Sequence, residues 1–235
     1  MNISDVVNAS LDITVSASPE LTLAKSTVKS VFSAWLENRK KIGQKIILEE
    51  IKDGNLNPEL FTRDDTIFLL NRFAEAVRMG RAKENLRLIA KAVVGAMNHP
   101  DLMADDFNCY VDALENLSRN EIVLLGNIYS TYKDLNLLRT ETKDIPNDAN
   151  YSSFSAANII EATRTYKDRL IKVGLFRTNE ELDAVCLALS RTGFLKQYHG
   201  IALDGSYAPS ILFRRLMESI GNDALNKVIK EMQEI

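Results

Sequence analysis

The sequence predicts a mainly α fold, in which a helical bundle is followed by a smaller α-rich module that carries a short β-hairpin. Three observations predict it. Apolar residues recur at helical spacing along much of the chain, most regularly over residues 62–97. Ten glycines and five prolines are few for 235 residues, which argues against a sheet-rich fold with many tight turns. Asp204-Gly205 interrupts the helical pattern with a strong hairpin-turn signal.

The stretch 62–97 is the predicted centre of the bundle. A helix with one apolar stripe must bury that stripe against other helices. Gly80 divides the stretch into helices of about 63–79 and 81–97, and one continuous helix that tolerates the glycine is the alternative. The stripe consists of Ile67, Leu70, Phe73, Ala74, Val77, Ala82, Leu86, Ile89, Ala90 and Val93.

A long helix is predicted before this centre. Ser18-Pro19-Glu20 is a start signal, and Gly54 stops the helix after Asp53. Gly43 is a candidate kink. The apolar residues of its first half alternate in spacing between three and four, as in a coiled-coil seam. The candidate interaction residues on this seam are Leu21, Val28, Val31 and Trp35. Packing of the seam on the protein's own bundle is the alternative to self-association.

Two further helices complete the predicted bundle. One covers about 104–116, and the other covers about 119–138 behind a capping box in which Ser118 and Glu121 satisfy each other's backbone donors. Residues 140–155 are polar, aperiodic and contain a proline, so they are a predicted linker or long loop. The predicted organisation is therefore a bundle over 1–139, a linker over 140–155 and a module over 156–235.

The C-terminal module begins with two predicted helices, at about 155–173 and from an Asn179 cap to about Arg191. A strand from about Phe194 to Tyr198 and a returning strand at Tyr207-Ala208 follow. Ser210 caps the next helix, which runs to Ile220, and a last helix covers about 222–234.

Gly193-Phe194-Leu195, Asp204-Gly205, Tyr207-Ala208-Pro209-Ser210 and Ile211-Leu212-Phe213, placed behind a helix, resemble the end of a winged-helix domain. The resemblance covers about 160–220. Its layout is similar to that of uncharacterised bacterial helical proteins of the abortive-infection alpha type. This resemblance implies a bacterial or prophage origin and a role in phage defence, without a known chemistry. A helical hairpin with an irregular loop is the alternative for this module.

The charge pattern gives limited support to nucleic-acid binding. A net charge of -3 makes no global electrostatic case for nucleic acid or an anionic membrane. The candidate phosphate contacts are Arg191, Lys196, Arg214 and Arg215. In a winged-helix domain, the helix that begins Asn179-Glu180-Glu181 would enter the DNA groove. Its acidic residues would then face the negatively charged DNA phosphates, which disfavours binding. A DNA-binding transcriptional regulator is therefore the alternative function.

Motifs for catalysis or cofactor binding are missing from the sequence. It has no glycine-rich phosphate loop and no nucleophile-elbow pattern. His99 and His199 have no ligand partners at metal-binding spacing. Cys109 and Cys186 are expected to be buried free thiols. We expect no metal and no cofactor; an enzyme that assembles His199, Cys186 and acids in space is the alternative.

Several other polar residues have structural interpretations. Asp64-Asp65 and Asp105-Asp106 fall at predicted helix N-termini, where the helix dipole stabilises acids. Tyr198, His199 and Tyr207 are exposed candidates near the hairpin.

The functional hypothesis from sequence is a non-enzymatic protein-interaction protein with a protein partner or a second copy of itself. No apolar run approaches the ~18 residues that a transmembrane helix needs. The first residues lack the basic and apolar regions of a secretory signal, so the expected compartment is the cytoplasm.

Overall fold

A computed structural model describes residues 5, 7–9, 11, 26–54, 64–98, 104–138, 154–199, 203, 205–221 and 223–233, with the side chains of 26–32, 64–65, 104–106 and 233 outside the description. The described part of the chain is mainly helical, with a two-stranded antiparallel sheet near the C-terminus. The helices are α1 (Ser26–Asp53), α2 (Asp64–Arg78), α3 (Lys83–Asn98), α4 (Ala104–Glu115), α5 (Arg119–Asp134), α6 (Ala156–Lys172), α7 (Asn179–Ser190), α8 (Ile211–Ile220) and α9 (Ala224–Gln233), and the strands are β1 (Leu195–Tyr198) and β2 (Ser206–Pro209).

The first compact unit comprises Met1–Asn116 and Ser219–Ala224. In it α3 packs on α1, α2 and α4, and α1 also packs on α2. The predicted division at Gly80 is confirmed, because α2 ends at Arg78 and Gly80 has the positive φ of 75° that favours glycine. Most of the predicted apolar stripe is buried here; Ile67, near the start of α2, and Ala82, between α2 and α3, are exposed.

An ion-pair network joins α1 to α3 within this unit. The buried carboxylate of Glu50 accepts from Lys91 at 2.6 Å and from Arg87 at 3.2 Å. Arg87 also donates to Glu49 at 3.1 Å. Since a buried carboxylate is stable only when it is paired, these contacts fix which face of α1 meets α3.

The second compact unit comprises Leu117–Glu218 and Leu225–Ile235. The predicted capping box opens α5 as expected: Glu121 N–H donates to the Ser118 hydroxyl, and Ser118 N–H donates to the Glu121 carboxylate. Within this unit α5 packs on α6, α7 and β2. These contacts group α5 with the C-terminal elements, whereas the sequence analysis placed this helix in the N-terminal bundle.

The ends of α6 and α7 follow local rules. The hydroxyl of Ser155 accepts from Asn158 N–H at the start of α6, and Gly174, with φ of 74°, follows its end. Asn179 does not cap α7. Thr178 does, because its hydroxyl accepts from the Glu181 N–H while the Glu181 carboxylate accepts from the Arg177 N–H.

The hairpin pairs β1 with β2 in antiparallel register, with Leu195 opposite Pro209 and Tyr198 opposite Ser206. Residues 199–205 therefore connect the strands, and Asp204-Gly205 does not form a two-residue turn between them. Gly205 does have a positive φ, 72°. Ser210 caps α8 as predicted, since its hydroxyl accepts from Phe213 N–H at 3.1 Å.

Several predictions fall on residues outside the described part of the chain. These are the Ser18-Pro19-Glu20 start signal, the side chains of the paired acids, His99, Asp204 and most of the 140–155 linker, of which the structure describes only residues 154 and 155. The backbone of α2 does begin at Asp64, and that of α4 begins at Ala104.

Candidate functional site

Helix α1 turns two different faces to its surroundings in the first unit. Its buried face includes Leu36, Gly43, Ile47 and Glu50, which are separated by seven, four and three residues. Trp35 is 41% exposed, whereas its neighbour Leu36 is 2% exposed. Successive residues of an α-helix are rotated by about 100°, so Trp35 points about a quarter of a turn away from Leu36.

The indole ring of Trp35 lies against the backbone where α2 ends. A Cβ atom at position 80 would lie 3.1 Å from Cζ2 of Trp35. Gly80 thus lets the ring approach closely, and the preceding residue, Met79, is 55% exposed. We call Trp35 and Met79 the Trp35 surface. It presents an aromatic ring and a thioether, two side-chain types that are enriched at protein interfaces.

The seam residues before Trp35 are less fully described. Val28 and Val31 are helical residues of α1 whose side chains lie outside the description, and Leu21 lies outside it altogether. Positions 28 and 31 precede Trp35 by seven and four residues, so helical spacing places them on the same side of α1 as Trp35. Of the four candidate interaction residues, the structure therefore shows the side chain of Trp35 on the surface.

The four candidate phosphate contacts do not share one environment. Arg191 is exposed and Arg215 is half-buried. The ammonium of half-buried Lys196 lies 5.5 Å from the centre of the Tyr198 ring. Arg214 is 4% exposed, so its prediction as a surface cation is wrong. It lies on the buried side of α8 together with Phe213 and Met217.

The acids of α7 have structural partners. Glu181 completes the cap described above. The pKa of the Glu180 carboxyl is lowered by a hydrogen bond with its own backbone N–H and, secondarily, by one with the Thr178 side chain. Asp183 pairs with Lys167 on α6, with Oδ1 and Nζ 2.6 Å apart. These contacts explain the acidic start of α7 as helix capping and helix pairing.

The two thiols differ in environment. Cys186 is buried, and burial is the main cause that raises its pKa to about 12, with a smaller contribution from Asp183. The thiol is therefore protonated at neutral pH and is a poor nucleophile. Cys109 is exposed, so the prediction that it is buried is wrong. The buried positions of α4 are Phe107, Tyr110, Val111, Ala113 and Leu114, and Cys109 lies away from that face.

Tyr198, His199 and Tyr207, the candidates near the hairpin, differ in how exposed they are. His199 is exposed and Tyr198 is half-buried, whereas Tyr207 is 3% exposed and its predicted exposure is wrong. Tyr207 faces inward from β2, and its backbone carbonyl accepts a hydrogen bond from the Tyr132 hydroxyl at 3.2 Å. Since Cys186 is buried and His199 is exposed, they occupy different environments.

In the described residues, no group of three or more His, Cys, Asp or Glu side chains is arranged to hold a metal ion. No helix in that same part of the chain is both long and apolar enough to cross a membrane. No protein-family model, curated protein or solved structure matches this chain.

The sequence identified Trp35 through its heptad spacing and Gly80 as a helix break, but it did not bring these two residues together and did not identify Met79. Met79 falls at the end of α2, where the apolar stripe has already given way to a turn. The signal that could have identified this place is the glycine itself, because it ends a helix and leaves room for a large ring.

Proposed function

We propose that this protein is a non-enzymatic interaction protein that associates with a second copy of itself through the α1 seam and the Trp35 surface. The observation that carries the proposal is that Trp35 remains 41% exposed although its ring lies against Gly80 in the first unit. Contact with Gly80 covers only part of the ring, and a second copy could cover the rest.

The seam spacing supports a second copy as the partner. Alternation of three and four residues keeps one apolar side of a helix facing another helix with the same repeat, and two copies of one chain provide that match. A tryptophan at the centre of such a contact is the residue type whose truncation most often costs 2 kcal/mol or more of binding energy. Trp35 is therefore the expected anchor.

The biological setting that we propose is bacterial or prophage defence, or regulation. It rests on the resemblance of the hairpin region to the winged-helix end of abortive-infection proteins. Helices α6 and α7, the two strands and capped α8 follow one another in the order that this resemblance requires.

DNA binding through the hairpin module has less support than self-association. Arg214 is buried, Lys196 lies over a tyrosine ring, and Asp183 is paired with Lys167. Arg191 is the exposed cation of the four that could contact phosphate. With Lys196 and Arg215 half-buried, few phosphate contacts are available, and few contacts would give a shallow salt dependence of binding, because the slope follows the number of phosphates neutralised.

Intrinsic fluorescence can test the proposed interface directly, because Trp35 is the sole tryptophan of the chain. We expect its emission to shift to shorter wavelength, and its quenching by acrylamide to fall, as protein concentration rises and the ring leaves water. The matched control is Val31→Asp, whose emission and quenching should be independent of concentration. Wild-type emission that is unchanged over the full concentration range would refute association through this surface.

A further inference from the structure

Arg214 lies in a buried position, where a cation is energetically unfavourable. It lies on α8 within the second unit and is 4% exposed. Arginine is almost never this buried unless its guanidinium is paired, because desolvating the charge is unfavourable. Its sequence neighbours Phe213 and Leu216 belong to the apolar core, so an apolar residue would fit the burial pattern better.

The surroundings of Arg214 are mainly aromatic. Its guanidinium carbon lies 5.3 Å from the centre of the buried Phe154 ring. The Phe154 ring is itself 5.0 Å from the ring of Tyr132, centre to centre. A cation–π contact stabilises a cation by about 0.5–2 kcal/mol. It does not provide hydrogen-bond acceptors for the N–H donors, which lie in the plane of the guanidinium.

Two of those donors are left without acceptors. Neither Nε nor Nη1 of Arg214 has a hydrogen-bond partner in the part of the chain that the structure describes, and both atoms are buried. Burial lowers the pKa of Arg214, while Glu218, one turn along α8, acts in the opposite direction. Glu218 is exposed and accepts from neither of the two nitrogens. The guanidinium is thus a desolvated cation with unused donors.

We propose that Arg214 is the anchor of an oxyanion-binding site in the second unit, which takes a phosphate or carboxylate group as its ligand. Guanidinium recognises these groups through paired N–H···O bonds, and a bound oxyanion would supply the acceptors that Nε and Nη1 lack in the described part of the chain. The neighbouring aromatic rings keep water from the cation, which strengthens its attraction for an anion. This site is independent of the Trp35 surface.

The test is thermal unfolding of the full chain in inorganic phosphate, in acetate and in chloride at matched ionic strength. We expect the wild-type melting temperature to rise by a few degrees in phosphate or acetate relative to chloride, since a ligand that binds the native state stabilises it. The acetate arm distinguishes a carboxylate site from a phosphate site. Melting temperatures that are equal in all three salts would overturn the proposal.

Two variants distinguish anion binding at Arg214 from a general effect of the salt on stability. Arg214→Met should lose the anion-dependent rise and, in chloride, should be as stable as wild type or more so, because a buried cation with two unsatisfied donors is replaced by an apolar chain. Arg215→Met removes the neighbouring half-buried cation and should keep the rise. A rise that persists unchanged in Arg214→Met would show that the anion acts elsewhere, and would also overturn the proposal.

Discussion

The carboxylate of Glu50 on α1 lies 2.6 Å from the ammonium of Lys91 on α3, and both side chains are largely shielded from water. The same carboxylate also accepts from Arg87. Glu50 therefore accepts from two cations between helices at the centre of the first unit, and Glu49 shares one of them, Arg87. We expect the network to be more sensitive to losing Glu50 than to losing Glu49.

Glu50→Ala should lower the free energy of unfolding by about 3–5 kcal/mol, because it removes the buried carboxylate that pairs with the poorly solvated Lys91 and with Arg87, and Glu49 is left as a partner of Arg87 only. The matched control is Glu49→Ala, which removes a more exposed acid paired with Arg87 and should cost about 0–1 kcal/mol. Urea unfolding followed by circular dichroism measures both. Equal costs for the two variants would show that Glu50 is not the centre of the network.

Gly43 marks a close approach of α1 to α2. A Cβ atom at this position would lie 2.5 Å from Cγ2 of Val77, and α1 is continuous through it, so its role is packing. Gly43→Ala should gain about 1 kcal/mol of helix propensity but lose about 1–3 kcal/mol through overpacking, a net destabilisation. The double variant Gly43→Ala with Val77→Ala should recover part of that loss. Additive effects in a double-mutant cycle would contradict the contact.

Because the Cys186 thiol is buried, we expect the folded protein to lose stability at alkaline pH. Its folded-state pKa of about 12 exceeds the ordinary value of 9.0, so the folded protein keeps a proton that the unfolded chain releases. The stability that the protonated thiol contributes to the folded state is fully present below pH 9. It is lost as pH rises toward about 12, and the free energy of unfolding falls by at most ~1.4 kcal/mol per pH unit. Burial of Tyr132 and Tyr166 raises the pKa of each phenol and adds a loss of the same sign.

The comparison that isolates the thiol is urea unfolding near pH 8 and near pH 10.5 for two variants. Cys186→Ala should lose less stability between these conditions than wild type does. Cys109→Ala, which removes the exposed thiol, should lose as much as wild type. If all three proteins lose the same amount, burial does not perturb the Cys186 thiol.

The helices could be predicted because their signals are local. The reciprocal Ser118–Glu121 cap needs only two residues three positions apart, and Gly80 ends a helix through its own backbone freedom. Long-range packing could not be predicted in the same way. The surface that α5 contacts depends on residues far along the chain: the Tyr132 hydroxyl bonds to the carbonyl of Tyr207, and the Tyr129 ring packs edge-on against Phe213.

Burial of single polar residues was harder to predict than helix position. Arg214 was expected at the surface because arginine usually is, and only the packing of α8 shows that its side of the helix is covered. The opposite error occurred at Cys109, which was expected to be buried but is exposed. A residue with apolar character can lie outside the buried stripe of a helix. Trp35 was identified by spacing, but the spacing alone left open which surface the seam meets.

The central claim is self-association through α1, and multi-angle light scattering over a concentration series tests it most directly. We expect the wild-type mass to rise with concentration toward twice the chain mass, and Val31→Asp to stay at one chain mass with unchanged helix content. Leu187→Asp, which changes a similarly exposed apolar residue in the second unit, should associate like wild type. A wild-type protein that is monomeric at every concentration, or a dimer that Val31→Asp leaves intact, would contradict the account.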